Sequence, residues 1–272
     1  MAISTVDGIV SALGNNSSRI VIDKATLLNA TAGGMHSLWR ATGFPSQAAI
    51  PTISALCTKA LTGAIGFQNQ TNPSKSYLSY AFVASSNHAT TIEIHDRIAH
   101  MGGLNLTLTT SQTVSIDLAT LAVPMDRIGE TNYSDVQWWL EVYSDGGATA
   151  SNATINVTYD DASTGNLSVV AVGGTLRAGR MIPLISAVAG KFIKGINTVT
   201  LSASTTVAGN FGFTATRIRA ILPLNTANKA ESFDWANLGF PEIVNDSCLF
   251  FIAIPTTTST GFLRGGGKIA HG

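Results

Sequence analysis

The chain has 272 residues, 45% hydrophobic and only 12% charged, and its 16 basic and 16 acidic side chains cancel. A neutral, charge-poor surface lacks the field that draws a protein to phosphate backbones or anionic lipid, so neither nucleic acid nor a membrane is an expected partner. The same neutrality removes the repulsion that keeps lone monomers apart, which suits a subunit inside an assembly.

In chain order, the N-terminus has no basic stretch followed by an apolar one, so no secretion signal is expected. No run approaches the ~18 apolar residues that span a bilayer. Val6, Ile9, Val10 and Leu13 have helical spacing, Gly14-Asn15-Asn16 stops the run, and Arg19–Ile22 reads as extended. Residues 25–75 are irregular, with Trp39, Phe44 and Phe67 as anchors, Pro45, Pro51 and Pro73 limiting regular structure, and one or two helical turns expected over Thr52–Leu61.

From Tyr77 the pattern becomes that of strands. Tyr77–Ala84 alternates loosely, and Ile92 and Ile94 alternate with Thr91, Glu93 and His95 up to an apparent end at Asp96-Arg97. Leu104, Leu106 and Leu108 follow Gly102-Gly103, and Val114, Ile116 and Leu118 come next. The clearest writing lies between Val136 and Tyr159. Val136, Trp138, Leu140 and Val142 alternate with Gln137, Trp139, Glu141 and Tyr143, and after a Ser144–Gly147 turn Ala153, Ile155, Val157 and Tyr159 alternate with Asn152, Thr154, Asn156 and Thr158. A period of two puts one face in the core and the other in water. Further strands are expected at Leu167–Val172, Val199–Ala203 and Phe211–Ala215.

Residues 225–247 read as irregular, anchored by Phe233, Trp235 and Phe240, and Cys248–Ile254 as a strand buried on both faces. The glycine-rich end from Arg264 to Gly272 has almost nothing to bury and is expected to be mobile unless a neighbour orders it. Many short strands separated by turn residues define the expected fold class. It is a mostly β, antiparallel, jelly-roll-like β-sandwich with irregular N- and C-terminal extensions. The expected organisation is one domain, with an arm and anchoring segment over 1–75, a sandwich core over 76–224 and an extension over 225–272.

Candidate chemistry is sparse. His88, Glu93, His95, Asp96, Arg97 and His100 form the densest polar cluster. Adjacent strand residues point to opposite faces, so a metal cage needs a backbone turn, and an Asp tying a turn with an Arg paired to it is the simpler reading. Serines are plentiful, yet no Gly-x-Ser-x-Gly elbow occurs. Asp160-Asp161, Asp234 and Glu242 lack the setting of a paired-carboxylate site. Gly102-Gly103, Gly173-Gly174 and Gly265-Gly266-Gly267 match no phosphate loop, and Arg177, Arg180, Arg217 and Arg219 are expected in salt bridges. Of the two cysteines, Cys57 and Cys248, the second reads as a buried thiol, though a disulfide across the long loop stays open. No enzyme activity, metal or cofactor is expected.

Several segments resemble a family of tailed-bacteriophage virion proteins. They are Ser37-Leu-Trp-Arg40, His95-Asp-Arg97 with His100-Met-Gly-Gly-Leu104, Thr109–Val114, Trp139–Tyr143, Arg177-Ala-Gly-Arg180, Val199–Ser204 and Ala208–Gly212. The resemblance runs from about Thr5 to about Leu224 and implies a virion component without catalytic residues. The resulting expectation is a decoration or cement protein on a capsid shell, assembled in the host cytoplasm as a homo-oligomer, a trimer by preference, with the major capsid protein or other virion proteins as partners. A tail, baseplate or connector position and a receptor- or carbohydrate-binding module are the alternatives. Trp139, Tyr143, Phe262, Arg264 and Lys268 are the expected subunit-interface residues, with the tail beyond Phe262 acting as an arm removable without harm to the fold.

Overall fold

The structure is a computed structural model and describes residues 2–87 and 89–272. It is mostly antiparallel β-sheet in the sandwich, jelly-roll-like manner expected, with short helices and flanking strands. Packing divides it into two compact units, the first from Met1–Ala48, Thr58–Asp96 and Ile218–Gly272, the second from Ala49–Cys57 and Arg97–Arg217. Two of the four boundaries fall inside the Thr90–Leu104 and Asn210–Leu224 strands.

The first unit opens with the expected helix, Val6–Asn15. Thr5 caps it, its hydroxyl accepting from the Gly8 amide at 3.0 Å. Ile9 and Ala12 are buried, and the chain passes directly into the Ser17–Lys24 strand. One sheet of this unit runs in the order Glu231–Asp234, Ser76–Ser85, Leu263–His271, Ser17–Lys24 and Gly43–Phe44.

The tail expected to be mobile is therefore a central strand, paired antiparallel on both sides. Its glycines explain both the misreading and the pairing. A Cβ on Gly265 would collide with the Phe82 carbonyl and one on Gly267 with the Tyr80 carbonyl. Glycine here permits close backbone approach, at the cost of any side-chain pattern that would announce a strand. Leu249–Ile254 is buried on both faces as expected, between Met35–Ser37 and the Thr91–Asp96 stretch of its neighbour. Ile20, Ile22, Leu78, Ile94, Leu222, Phe251 and Ile269 belong to this unit's core.

In the second unit, one sheet runs Thr164–Asn166, Ser151–Tyr159, Ile193–Leu201 and Gln112–Asp117. Ser151–Tyr159 alternates buried and outward residues as its sequence foretells. Its outward amides form a ladder. Asn156 donates to Asn166 at 2.9 Å, Asn197 to Asn156 at 2.9 Å, and Thr158 to Asn197 at 3.1 Å. Gln137–Ser144 pairs with Arg180–Leu184 on one side and with Asn210–Thr216 on the other. The core of this unit includes Leu140, Val142, Ile155, Val157, Ile196, Phe211 and Phe213.

Three local expectations are corrected. Thr52–Leu61 is not helical; Ala55–Leu56 pairs with His100 and Ala99, and the Cys57 amide goes to the Ile98 carbonyl at 2.9 Å, so sheet bonds claim the backbone. The strand of Ile92 and Ile94 does not end at Asp96-Arg97 but continues to Leu104. Leu106 and Leu108 then lie in a turn, where the Asn105 side chain accepts from the Thr107 amide at 2.7 Å.

Candidate interaction face

The densest polar cluster is built into the protein's interior. His88 lies outside the described residues. His95 is fully buried and meets the Glu93 carboxylate at 2.8 Å. Burial holds its pKa below the ordinary imidazole value, against the opposing pull of Glu93. Asp96 ties no turn. Its carboxylate accepts from the Cys248 amide at 2.8 Å and the Ser247 hydroxyl at 2.9 Å, with the Arg219 guanidinium at 3.4 Å.

Arg97 lies on the opposite face of the strand. It donates to Glu141 at 2.6 Å, Tyr143 at 2.8 Å, Thr214 at 3.0 Å and His100 at 3.0 Å, all within the second unit. Burial alone would lower the Arg97 pKa, but the Glu141 carboxylate raises it, and the group is a permanent cation. Burial, then Glu141, pushes the Tyr143 phenol well above its usual range. Thr214 completes the knot by donating to Glu141 at 2.5 Å. Among the described residues no group of three or more His, Cys, Asp or Glu is arranged to hold a metal.

This network also corrects the reading of the Gln137–Ser144 strand as half wet. Every residue from Trp138 to Tyr143 is buried. The alternation is real, but its second face carries Glu141 and Tyr143 into a buried polar network rather than into water. Gly102 and Gly212 admit the close packing: a Cβ on Gly212 would strike the Met101 carbonyl, and one on Gly102 would come within 2.8 Å of the Tyr143 ring. Arg127, which nothing in the sequence singles out, is buried too and donates to the carbonyls of Cys57 at 2.7 Å and Arg97 at 3.1 Å. Cys57 and Cys248 are buried thiols, not a disulfide.

The five expected interface residues divide. Trp139 and Tyr143 are buried within their own chain, Trp139 donating its indole N–H to Thr216 at 2.8 Å. They offer no open aromatic platform for a sugar. Lys268 is half-buried and donates to the Leu13 carbonyl at 2.5 Å, where a cation complements the C-terminal end of the first helix. Phe262 and Arg264 are exposed, the guanidinium 5.3 Å from the ring centroid and 3.2 Å from Asp23.

Register places Phe262 and Arg264 on a larger surface. Across the first unit's sheet, Val21 stands opposite Gly266 and Gly266 opposite Phe82, while Asp23 stands opposite both Arg264 and Phe44. Opposed residues share a face. Phe44, Val21, Phe82 and Phe262 are 39–54% exposed on it. A Cβ at Gly266 would come within 3.2 Å of the Phe82 ring, so that ring lies along the glycine strand. Arg19, Asp23, Arg264 and Asp234 supply both signs of charge on the same outward positions.

No family model and no curated protein matches the chain. Among solved structures it is matched to VP2 of infectious bursal disease virus. The crystal structure of the VP2 subviral particle is 11% identical over 94% of this chain and 80% of that one, with a TM-score of 0.17. Derived T=1 particles of the same virus give 9% identity over 94% and 77%, also at a TM-score of 0.17. The T13 particle gives 10% identity over 94% and 78%, again at 0.17. The expectation of a tailed-bacteriophage family is corrected accordingly: no such family model and no such curated protein matches the chain.

Proposed function

We propose that the chain is a non-enzymatic structural subunit of a virus particle that assembles with further copies of itself. The observation that carries the assembly role is the outward sheet face of the first unit, where Phe44, Val21, Phe82 and Phe262 stand exposed among charges of both signs. An apolar centre with a mixed-charge rim is the anatomy of a protein interface. A surface holding Arg19, Arg264 and Lys268 together with Asp23 and Asp234 carries both signs of charge, which an identical copy can complement. The chemically capable side chains support the same reading, since Arg97, Glu141, Tyr143 and Asp96 are all buried in structural ties.

The viral setting is the coarse part of the expectation drawn from the sequence. The narrower role, decoration of a shell built by another protein, belongs to the same proposal, as does the trimeric order. Sedimentation velocity of the intact chain tests the assembly role. The native chain should sediment as an oligomer whose order the run reads directly, and Phe82→Glu with Val21→Glu should return it to monomer without loss of far-ultraviolet circular dichroism. A native chain that stays monomeric at high concentration, or a folded double variant that still associates, would sink the proposal. Copy number per particle then separates the two virion roles, a shell-forming subunit being its own lattice and a decoration protein being stoichiometric with another.

A further inference from the structure

The second unit holds a cleft of about 480 Å³ beside the start of the Gln137–Ser144 strand. Trp138, Trp139, Leu184, Val188 and Phe192 line it, and the loop of residues 185–192 forms its outer wall. One arm of that loop is fixed. The Trp138 indole N–H donates to the Ile193 carbonyl at 2.8 Å. Phe192 and Asp160 exchange two bonds, the Phe192 amide to the Asp160 carboxylate and the Asp160 amide to the Phe192 carbonyl, both 2.9 Å. Lys191 is held by Asp161 and by the Ser163 hydroxyl, each at 2.7 Å. The cleft is thus pre-formed rather than a gap that closes by itself.

Its other arm presents apolar side chains to water, with Ile185 76% and Val188 42% exposed. Leaving such surface wet forfeits about 25 cal/mol for each Å². The size falls within the ~300–1,000 Å³ of small-molecule sites, and the lining of indoles and aliphatic chains matches their usual character. The one cation of the wall, Lys191, is already neutralised by Asp161, so the site has no spare charge for an anion.

We propose that this cleft binds a small, neutral, apolar molecule, held against its apolar wall and the 185–192 loop. This is independent of the assembly face, which lies on the other unit's sheet.

The test is titration of the intact chain with N-phenylnaphthylamine, a neutral apolar fluorophore, followed by its emission and by quenching of tryptophan. The expected result is saturable binding that weakens at least tenfold in Val188→Trp, where the new ring fills the cleft, and likewise in Ile185→Lys, which alters only an exposed side chain. Phe82→Glu should leave the titration unchanged. Absence of saturable binding, retention of full affinity in folded Ile185→Lys, or loss of binding in Phe82→Glu would each overturn the proposal.

Discussion

The two units use buried charge differently. In the second, Arg97 and Glu141 meet at 2.6 Å with both side chains essentially out of water, and Arg97 donates further to Tyr143, Thr214 and His100. In the first, Asp96 meets Arg219 at a looser 3.4 Å and relies on a backbone amide and a serine hydroxyl for its close contacts. The first unit also buries Lys24, whose ammonium donates to the carbonyls of Ala41 at 3.1 Å and Pro45 at 2.5 Å rather than to a carboxylate. A full ionic knot, a half-neutral one and a cation among carbonyls make a graded series, and desolvation theory ranks what breaking each one costs.

The largest effect concerns the first unit's sheet itself. Truncation after Phe262 removes the Leu263–His271 strand, which pairs with Ser17–Lys24 on one side and Ser76–Ser85 on the other. The expected outcome is an unfolded first unit, read as lost β-sheet circular dichroism and rapid proteolysis within residues 1–48 and 58–96. A truncated chain with native dichroism and protease resistance would restore the view of this segment as a dispensable arm.

Next in size is Glu141→Gln, which strands the Arg97 guanidinium in a dry interior. Removing one partner of a buried pair costs about 3–5 kcal/mol, and the loss should appear in denaturant unfolding. The paired replacement Arg97→Met with Glu141→Leu should recover most of it, because neither charge is then left uncompensated. If the double variant is no more stable than Glu141→Gln, the hydroxyl network rather than the ion pair carries the energy. Asp96→Asn sharpens the contrast. An amide oxygen still accepts from the Cys248 amide and the Ser247 hydroxyl, so a loss of only about 1–2 kcal/mol is expected. A cost equal to that of Glu141→Gln would erase the difference between the units.

These differences were unevenly legible in the sequence. Ser151–Tyr159 announces itself because its outward Asn and Thr and inward Ala, Ile and Val alternate without interruption. Leu263–His271 is hidden because Gly265, Gly266 and Gly267 carry no side chain, and the space that requires glycine becomes visible only with Phe82 and Tyr80 in place. Trp139 and Tyr143 were misplaced for the opposite reason. Their alternation marks a second face, and nothing in a period of two says whether that face meets water or Arg97. The face proposed for assembly draws Val21, Phe44, Phe82 and Phe262 from four separate segments, a convergence that only register reveals.

Lys24 tests the gentlest member of the series through pH. Burial lowers its pKa from 10.5 to about 8. Below about pH 8 the ammonium is charged in both folded and unfolded chains, and the folded state bears the whole desolvation cost. Between about 8 and 10.5 the unfolded chain keeps a proton that the folded chain has released, so the unfolded state binds more protons and stability rises with pH. Above 10.5 both are neutral and the gain is complete, on the order of 3 kcal/mol at 1.36 kcal/mol per unit. Lys24→Met has no such proton to release. The stability of the native chain relative to this variant should therefore climb across that window and be level on either side of it. A difference that stays constant from neutral pH to 10.5 would mean that the carbonyls of Ala41 and Pro45 solvate the ammonium as well as water does, and the cation would then belong with the paired charges of the second unit.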